Sequence, residues 1–222
     1  MSTIAERYGR IRAAVPAHVT LVAVSKYHTV DDIREAYAAG ARDFGESREQ
    51  ELADKASQLP QDIRWHFIGH LQRNKVRKII GLVHLIHSVD SLRLLREIDQ
   101  RAAETGRVVD CLLQVHVAAE ETKFGFTPQE LIDFVHSGAW QDCKHARIRG
   151  LMAMATNTDD RERVTADFNI AAQTMASVRH CIGEEQCDIL SMGMSGDYRQ
   201  AIDAGSTMVR VGSAIFTDCD GQ

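Results

Sequence analysis

Eight short runs of β-branched and apolar residues recur along the chain, at positions 19–24, 42–44, 63–68, 83–87, 108–117, 147–152, 188–190 and 208–211. Runs of this kind read as buried strands. Helix-patterned stretches separate them at 31–39, 48–58, 74–80, 91–104, 160–180 and 198–204. A further helix opens at Thr127-Pro128-Gln129-Glu130, which has capping-box spacing and proline at the first helical position. Asp90 is the expected N-cap of the 91–104 helix. Val164, Phe168, Ala171, Met175 and Val178 form one apolar stripe along 160–180. Strand–helix alternation makes a parallel sheet, and eight such units fit within 222 residues only if the loops are short. The expected fold is α/β, a single (β/α)8 TIM barrel spanning residues 1–222, with one extra helix at the N-terminus. A doubly wound sheet shares the alternation and is the second architecture.

Two joints echo each other. Ala39-Gly40-Ala41 precedes Phe44-Gly45, and Ala204-Gly205-Ser206 precedes Val211-Gly212. Each places a glycine after a helix and another after a strand, as a repeating strand–helix unit requires. Only three prolines occur and no low-complexity stretch interrupts the pattern, so no domain boundary is expected.

Charge and cysteine usage exclude several classes. A net charge of -5 gives no reason to expect nucleic acid or an anionic membrane as partner. The local cluster Arg73, Lys75, Arg77 and Lys78 reads as a solvated helix face. Five scattered cysteines without a C-x-x-C pair suit free thiols in a reducing cytosol. Residues 1–15 mix Glu6, Arg7, Arg10 and Arg12 with Ile4, Tyr8, Ile11 and Val15, an amphipathic helix pattern and not a signal-peptide core. No apolar run approaches the roughly 18 residues of a membrane span. A soluble, cytoplasmic protein is expected.

Lys26 ends the first strand run, Val22-Ala23-Val24-Ser25-Lys26. In alternating β/α folds that end of the sheet is where ligands bind, so an amine there can attack a carbonyl; a solvated loop lysine is the plainer reading. Loops after the seventh and eighth strands commonly hold phosphate in barrels. Here they read Ser191-Met192-Gly193-Met194-Ser195-Gly196 and Arg210-Val211-Gly212-Ser213, small residues that admit an anion to the backbone, with hydroxyl donors beside it. An amine opposite a phosphate cradle is what pyridoxal 5′-phosphate requires.

The motifs then become specific. Val22-Ala23-Val24-Ser25-Lys26, Phe44-Gly45-Glu46, Trp65-His66-Phe67-Ile68-Gly69 with Leu71-Gln72 and Asn74-Lys75, Arg149-Gly150-Leu151-Met152, Leu190-Ser191-Met192-Gly193-Met194-Ser195 and Met208-Val209-Arg210-Val211-Gly212 occur in this order. Over residues 19–216 the chain resembles the YggS/PROSC family of pyridoxal-phosphate homeostasis proteins, which is similar to the barrel domain of alanine racemase. The resemblance implies that Lys26 is the Schiff-base lysine. It also implies that Gly212 and Ser213 give backbone amides to the phosphate, with a hydroxyl from Ser191 or Ser195. Arg210 stands where the racemase barrel has an arginine facing the pyridine nitrogen. As a permanent donor it would leave that nitrogen unprotonated and the ring a weaker electron sink. Met194, Ser47, His66 and Lys123 are further expected cofactor contacts. A buried Lys26 would have to be neutral, with desolvation and Arg210 lowering its pKa.

Racemisation in that superfamily uses a second base supplied by a further β domain and a partner subunit. Only eleven residues follow Val211, so that domain is not expected here. The implied role is to hold pyridoxal phosphate and hand it over, with apo-enzymes as recipients, a monomer as the simpler state and little turnover. An active racemase and a colourless aldolase-like barrel using Lys26 on a sugar phosphate are the alternatives. His66 and His70 stand four apart, but Phe67-Ile68-Gly69 reads as strand end and loop and not as helix, His84 and His87 have the same weakness, and no metal is expected. Met152 and Met154 are expected in the barrel core. Asp197 is expected to favour the following helix N-terminus. Three departures from the family pattern are Ser47 for asparagine, His70 for proline and Gly196 for an acidic residue.

Overall fold

The computed structural model describes residues 2–120 and 124–217. Eight parallel strands close into a barrel in sequence order: β1 (Thr20–Val24), β2 (Asp43–Glu46), β3 (Arg64–Phe67), β4 (Val83–Val89), β5 (Val109–His116), β6 (Ala146–Met154), β7 (Ile189–Ser191) and β8 (Met208–Val211). The ring closes where β1 runs beside β8, with Thr20 opposite Met208 and Val22 opposite Arg210. Closure decides between the two architectures in favour of the barrel.

Side chains alternate between the two faces of each strand. Leu21, Ala23, Phe44, Phe67 and Ile86 turn outward, in one core with the helix residues Ile33, Leu52, Ile98 and Phe168. Val22, Leu85, Leu112, Met152 and Met208 turn inward and pack together, with Met154 and Ile189 beside them. Both faces are covered, which is why the strands read as nearly continuous apolar runs.

The outer helices are α1 (Ile4–Ala14), α2 (Val30–Ala38), α3 (Glu49–Ala56), α4 (Val76–Ile79), α5 (Leu92–Glu104), α6 (Pro128–His136), α7 (Arg161–Ile182), α8 (Tyr198–Asp203) and α9 (Ser213–Phe216). Capping boxes start three of them, Thr3 with Glu6, Thr29 with Asp32 and Thr127 with Glu130. The α7 stripe is buried as its period requires. Two details differ from expectation. Ser91, and not Asp90, caps α5, its hydroxyl accepting from Leu94 N. The short α9 has too few residues to show a helical period in sequence. No helix among the described residues is long and apolar enough to cross a membrane.

Gly150 has φ +145°, and a Cβ there would lie 1.9 Å from the Ile189 carbonyl oxygen. The register of β6 against β5 slips between Cys111 and Leu112, beside this glycine. The close approach brings β6 against β7 and fixes the strand ends from which the site loops depart.

Candidate functional site

Lys26 sits one residue beyond a clamped strand end. Ser25 is buried, its N–H donating to Gly45 O at 3.0 Å and its hydroxyl to Glu46 Oε1 at 2.6 Å. Lys55, from α3, donates to Ser25 O at 2.9 Å and to Glu46 Oε1 at 2.8 Å. On the other side Tyr27 N donates to Glu51 Oε2 at 3.1 Å. Tyr27 takes φ 70°, a conformation that costs a non-glycine residue energy and persists only where the surroundings enforce it. The lysine is thus aimed by a buried polar clamp. Its side chain is exposed, with Nζ 5.8 Å from the Tyr27 ring centroid, so the expectation of a buried Lys26 fails. Burial pushes the Glu46 carboxyl up, with Lys55 and Ser25 pulling against it, and its Oε2 is buried with no hydrogen-bond partner.

The loops after β7 and β8 meet at Ser195. Its Oγ accepts from Gly212 N at 3.2 Å and Ala214 N at 3.4 Å. A Cβ on Gly212 would stand 3.2 Å from both Cβ and carbonyl oxygen of Val24, so this loop lies directly against the end of β1. Ser213 is exposed as the first residue of α9. The two amides that now donate to Ser195 Oγ, together with that hydroxyl, are groups of the kind that hold a phosphate. Met194 is exposed on the same turn. Its N–H donates to Asp197 Oδ1 at 2.5 Å, so Asp197 pins the loop and makes no side-chain cap to α8.

Arg210 lies inside the barrel beneath these loops, 4 % exposed. Its Nη1 donates to Ser191 O at 2.8 Å and Ser191 Oγ at 2.7 Å, and its Nη2 to Ala153 O at 3.0 Å. These bonds leave Nε outside them. Burial lowers its pKa to about 10, against the pull of Asp197, so it stays a cation at neutral pH.

The expected site residues therefore separate. Lys26, Met194, Ser195 and Gly212 lie on loops that leave the C-terminal ends of the strands, and Ser213 opens α9 directly after the β8 loop. Ser47 lies on the loop after β2, half-buried, with its carbonyl pressed against Gly69, where a Cβ would fall 2.1 Å away. The Ser191 hydroxyl is engaged by Arg210 and by His87 Nδ1 at 3.1 Å. His66 is 1 % exposed, its ring held between Asp43 and His87 in the barrel interior. Lys123 falls outside the described residues. The described residues hold no group of three or more His, Cys, Asp and Glu suited to a metal. Sequence reading missed Glu46, Lys55 and Ala214 as parts of the site. Glu46 stands in a quoted motif and was available as a signal, whereas Lys55 and the Ala214 amide carry none.

The family model for the alanine racemase N-terminal domain matches residues 1–220. The pyridoxal phosphate homeostasis protein of Synechocystis sp. is 39% identical, over 95% of this chain and 96% of its own length. The protein of that name from Schizosaccharomyces pombe is 36% identical over 97% and 93%. Among solved structures, PipY of Synechococcus elongatus PCC7942 is 38% identical and covers 96% of this chain and 100% of its own. It superposes with a TM-score of 0.91 without PLP and 0.87 with PLP bound. An alanine racemase from E. faecalis shares the fold at a TM-score of 0.76 and 19% identity, with 58% of its chain matched.

Proposed function

We propose that this chain, which belongs to the pyridoxal phosphate homeostasis proteins of the alanine racemase N-terminal-domain family, binds pyridoxal 5′-phosphate at the C-terminal mouth of its barrel, holds it on Lys26 as a Schiff base and releases it to apo-enzymes. The observation that carries this reading is the convergence of Gly212 N, Ala214 N and Ser195 Oγ beside the end of the strand that bears Lys26. When bound, the cofactor supplies an aldehyde that an amine can capture and a ring that withdraws electrons.

Each protein group then has a task. Amides and hydroxyl at Ser195, Gly212 and Ala214 bind the phosphate. Lys26, fixed in direction by the Ser25–Glu46–Lys55 clamp, would present its amine to the cofactor's aldehyde for a linkage open to exchange with water or another amine. The exposure of Lys26 keeps that exchange open to solvent. Arg210 carries donors only, so a ring nitrogen facing it stays free of a proton and the ring remains a weak electron sink. Binding and release, not turnover of amino acids, suit such a site.

The test pairs two assays on one preparation. The loaded protein should restore activity to a separate apo-enzyme that needs pyridoxal phosphate, while L- and D-alanine incubated with it keep their configuration. Steady inversion of free amino acids would overturn the reading in favour of a racemase.

A further inference from the structure

Five buried side chains form a continuous hydrogen-bonded line through the barrel interior. Arg210 Nη1 donates to Ser191 Oγ at 2.7 Å, Ser191 Oγ lies 3.1 Å from His87 Nδ1, His87 Nε2 lies 2.9 Å from His66 Nδ1, and His66 Nε2 lies 3.0 Å from Asp43 Oδ1. The line joins β8, β7, β4, β3 and β2. Asp43 opens β2 at the N-terminal mouth of the barrel. There it is paired with Arg64, and a cavity of about 410 Å³ lined by Asp43, Arg64, His84, Asp110 and Arg149 opens to solvent.

The direction of every bond is fixed from both ends. Arginine has no acceptor, so Ser191 Oγ accepts from it, and among the described residues the acceptor that its own hydrogen meets is His87 Nδ1 at 3.1 Å. His87 then carries its proton on Nε2. From the other end, hydrogen bonds from His66 and Arg64 outweigh the cost of burial and hold the Asp43 carboxyl at about 2, so it only accepts. His66 therefore carries its proton on Nε2 and presents Nδ1 as acceptor to His87. The two derivations meet at the His66–His87 bond and agree. Burial above all, with the Arg210 cation beside it, holds the His87 imidazole well below its usual range, in keeping with a neutral ring. A proton added to His66 would reverse the His66–His87 bond, drive a proton onto His87 Nδ1 and leave the Ser191 hydrogen without an acceptor.

We propose that Asp43, His66, His87 and Ser191 are positioning residues, a one-way hydrogen-bond chain from one mouth of the barrel to the other that fixes Arg210 as a donor-only cation under the cofactor ring. Bonds aligned head to tail polarise one another, so the chain holds the guanidinium more firmly than packing alone. Its reach to the ring rests on the function proposed above; the chain itself does not.

Side-chain 15N–1H correlation spectra of the cofactor-free protein test it first. At neutral pH, His66 and His87 should both be neutral Nε2–H tautomers. Ser191→Ala should shift His87 toward a tautomer mixture, and Ser191→Thr, which keeps the hydroxyl, should restore it. Asp43→Asn, at the opposite end, should do the same to His66 and serves if S191A does not fold. An Nδ1–H or doubly protonated ring in the wild type, or a His87 signal indifferent to S191A, overturns the chain. After loading with ring-15N pyridoxal phosphate, the wild type should show an unprotonated ring nitrogen whose resonance moves in S191A. A protonated ring nitrogen in the wild type, or one unmoved by S191A, overturns the chain's role toward the ring. Failure to take up cofactor while the cofactor-free spectra hold overturns the function proposed above and leaves the chain standing.

Discussion

The backbone N–H of Gly212 donates to Ser195 Oγ at 3.2 Å, tying the loop after β8 to the loop after β7. With Ala214 N on the same oxygen, the hydroxyl gathers two amides. The groups of the proposed phosphate site thus already lie side by side, and an anion bound there would take over the two N–H bonds that Ser195 Oγ now accepts.

Ser195→Ala removes the oxygen that holds the Gly212 and Ala214 amides together and, with it, one donor of the proposed phosphate site. A hydrogen bond to a charged group contributes about 1.5 kcal/mol or more, so affinity for pyridoxal phosphate should fall at least about tenfold. Titration of cofactor-free protein, followed by absorbance, reads this out. An unchanged dissociation constant would remove Ser195 from the site.

Lys55 and Glu46 form an ion pair whose side chains are 9% and 0% exposed. Lys55→Met leaves the Glu46 carboxyl buried with only the Ser25 hydroxyl as partner, which should cost about 3–5 kcal/mol of stability. Denaturant unfolding measures it. The double variant K55M/E46Q, with no charge left to strand, should recover part of the loss; a K55M loss below about 1 kcal/mol would show that the clamp does not hold the Lys26 loop.

Asp43 gives a pH dependence of known sign. Its folded pKa, about 2, lies below the ordinary aspartate value of 3.8, so the stability it contributes is present above about 3.8 and is lost as pH falls toward 2. The difference corresponds to roughly 2 kcal/mol. Urea midpoints measured from pH 5 down to pH 2.5 should fall, and the fall should be shallower in Asp43→Asn. Equal slopes in the two proteins would contradict the assignment.

Gly150→Ala should be among the most damaging single-methyl changes in the chain. The new Cβ would meet the Ile189 carbonyl at 1.9 Å in a backbone conformation that disfavours it, and a backbone oxygen cannot swing aside. A loss of about 3 kcal/mol or more is expected, read as a fall in Tm of roughly 6–12 °C. A fall under about 2 °C would mean that β6 and β7 can separate at this point.

The barrel was legible because both periods, two for strands and 3.6 for helices, are written along the chain, and because Gly40, Gly45, Gly205 and Gly212 mark repeated joints. The loops of Lys26, Ser195 and Gly212 were legible for the same reason: position after a strand places them at one mouth. What escaped is what only closure creates. Ser25, Glu46 and Lys55 meet across separations of 21 and 30 residues, and His87 meets Ser191 across 104. No local pattern announces such contacts, and the ring partners of His66, Asp43 and His87, are of the same kind. The exposure of Lys26 escaped too, since the loop geometry that turns Tyr27 to φ 70° depends on Glu51 and Lys55 from another element.

The central claim is that Lys26 carries the cofactor. Loaded protein should be yellow, lose that colour on treatment with borohydride, and yield on digestion and mass spectrometry one peptide bearing the reduced phosphopyridoxyl group on Lys26, while Lys26→Ala takes up no such label. A colourless protein, or a label placed on another lysine with Lys26 unmodified, would contradict the account.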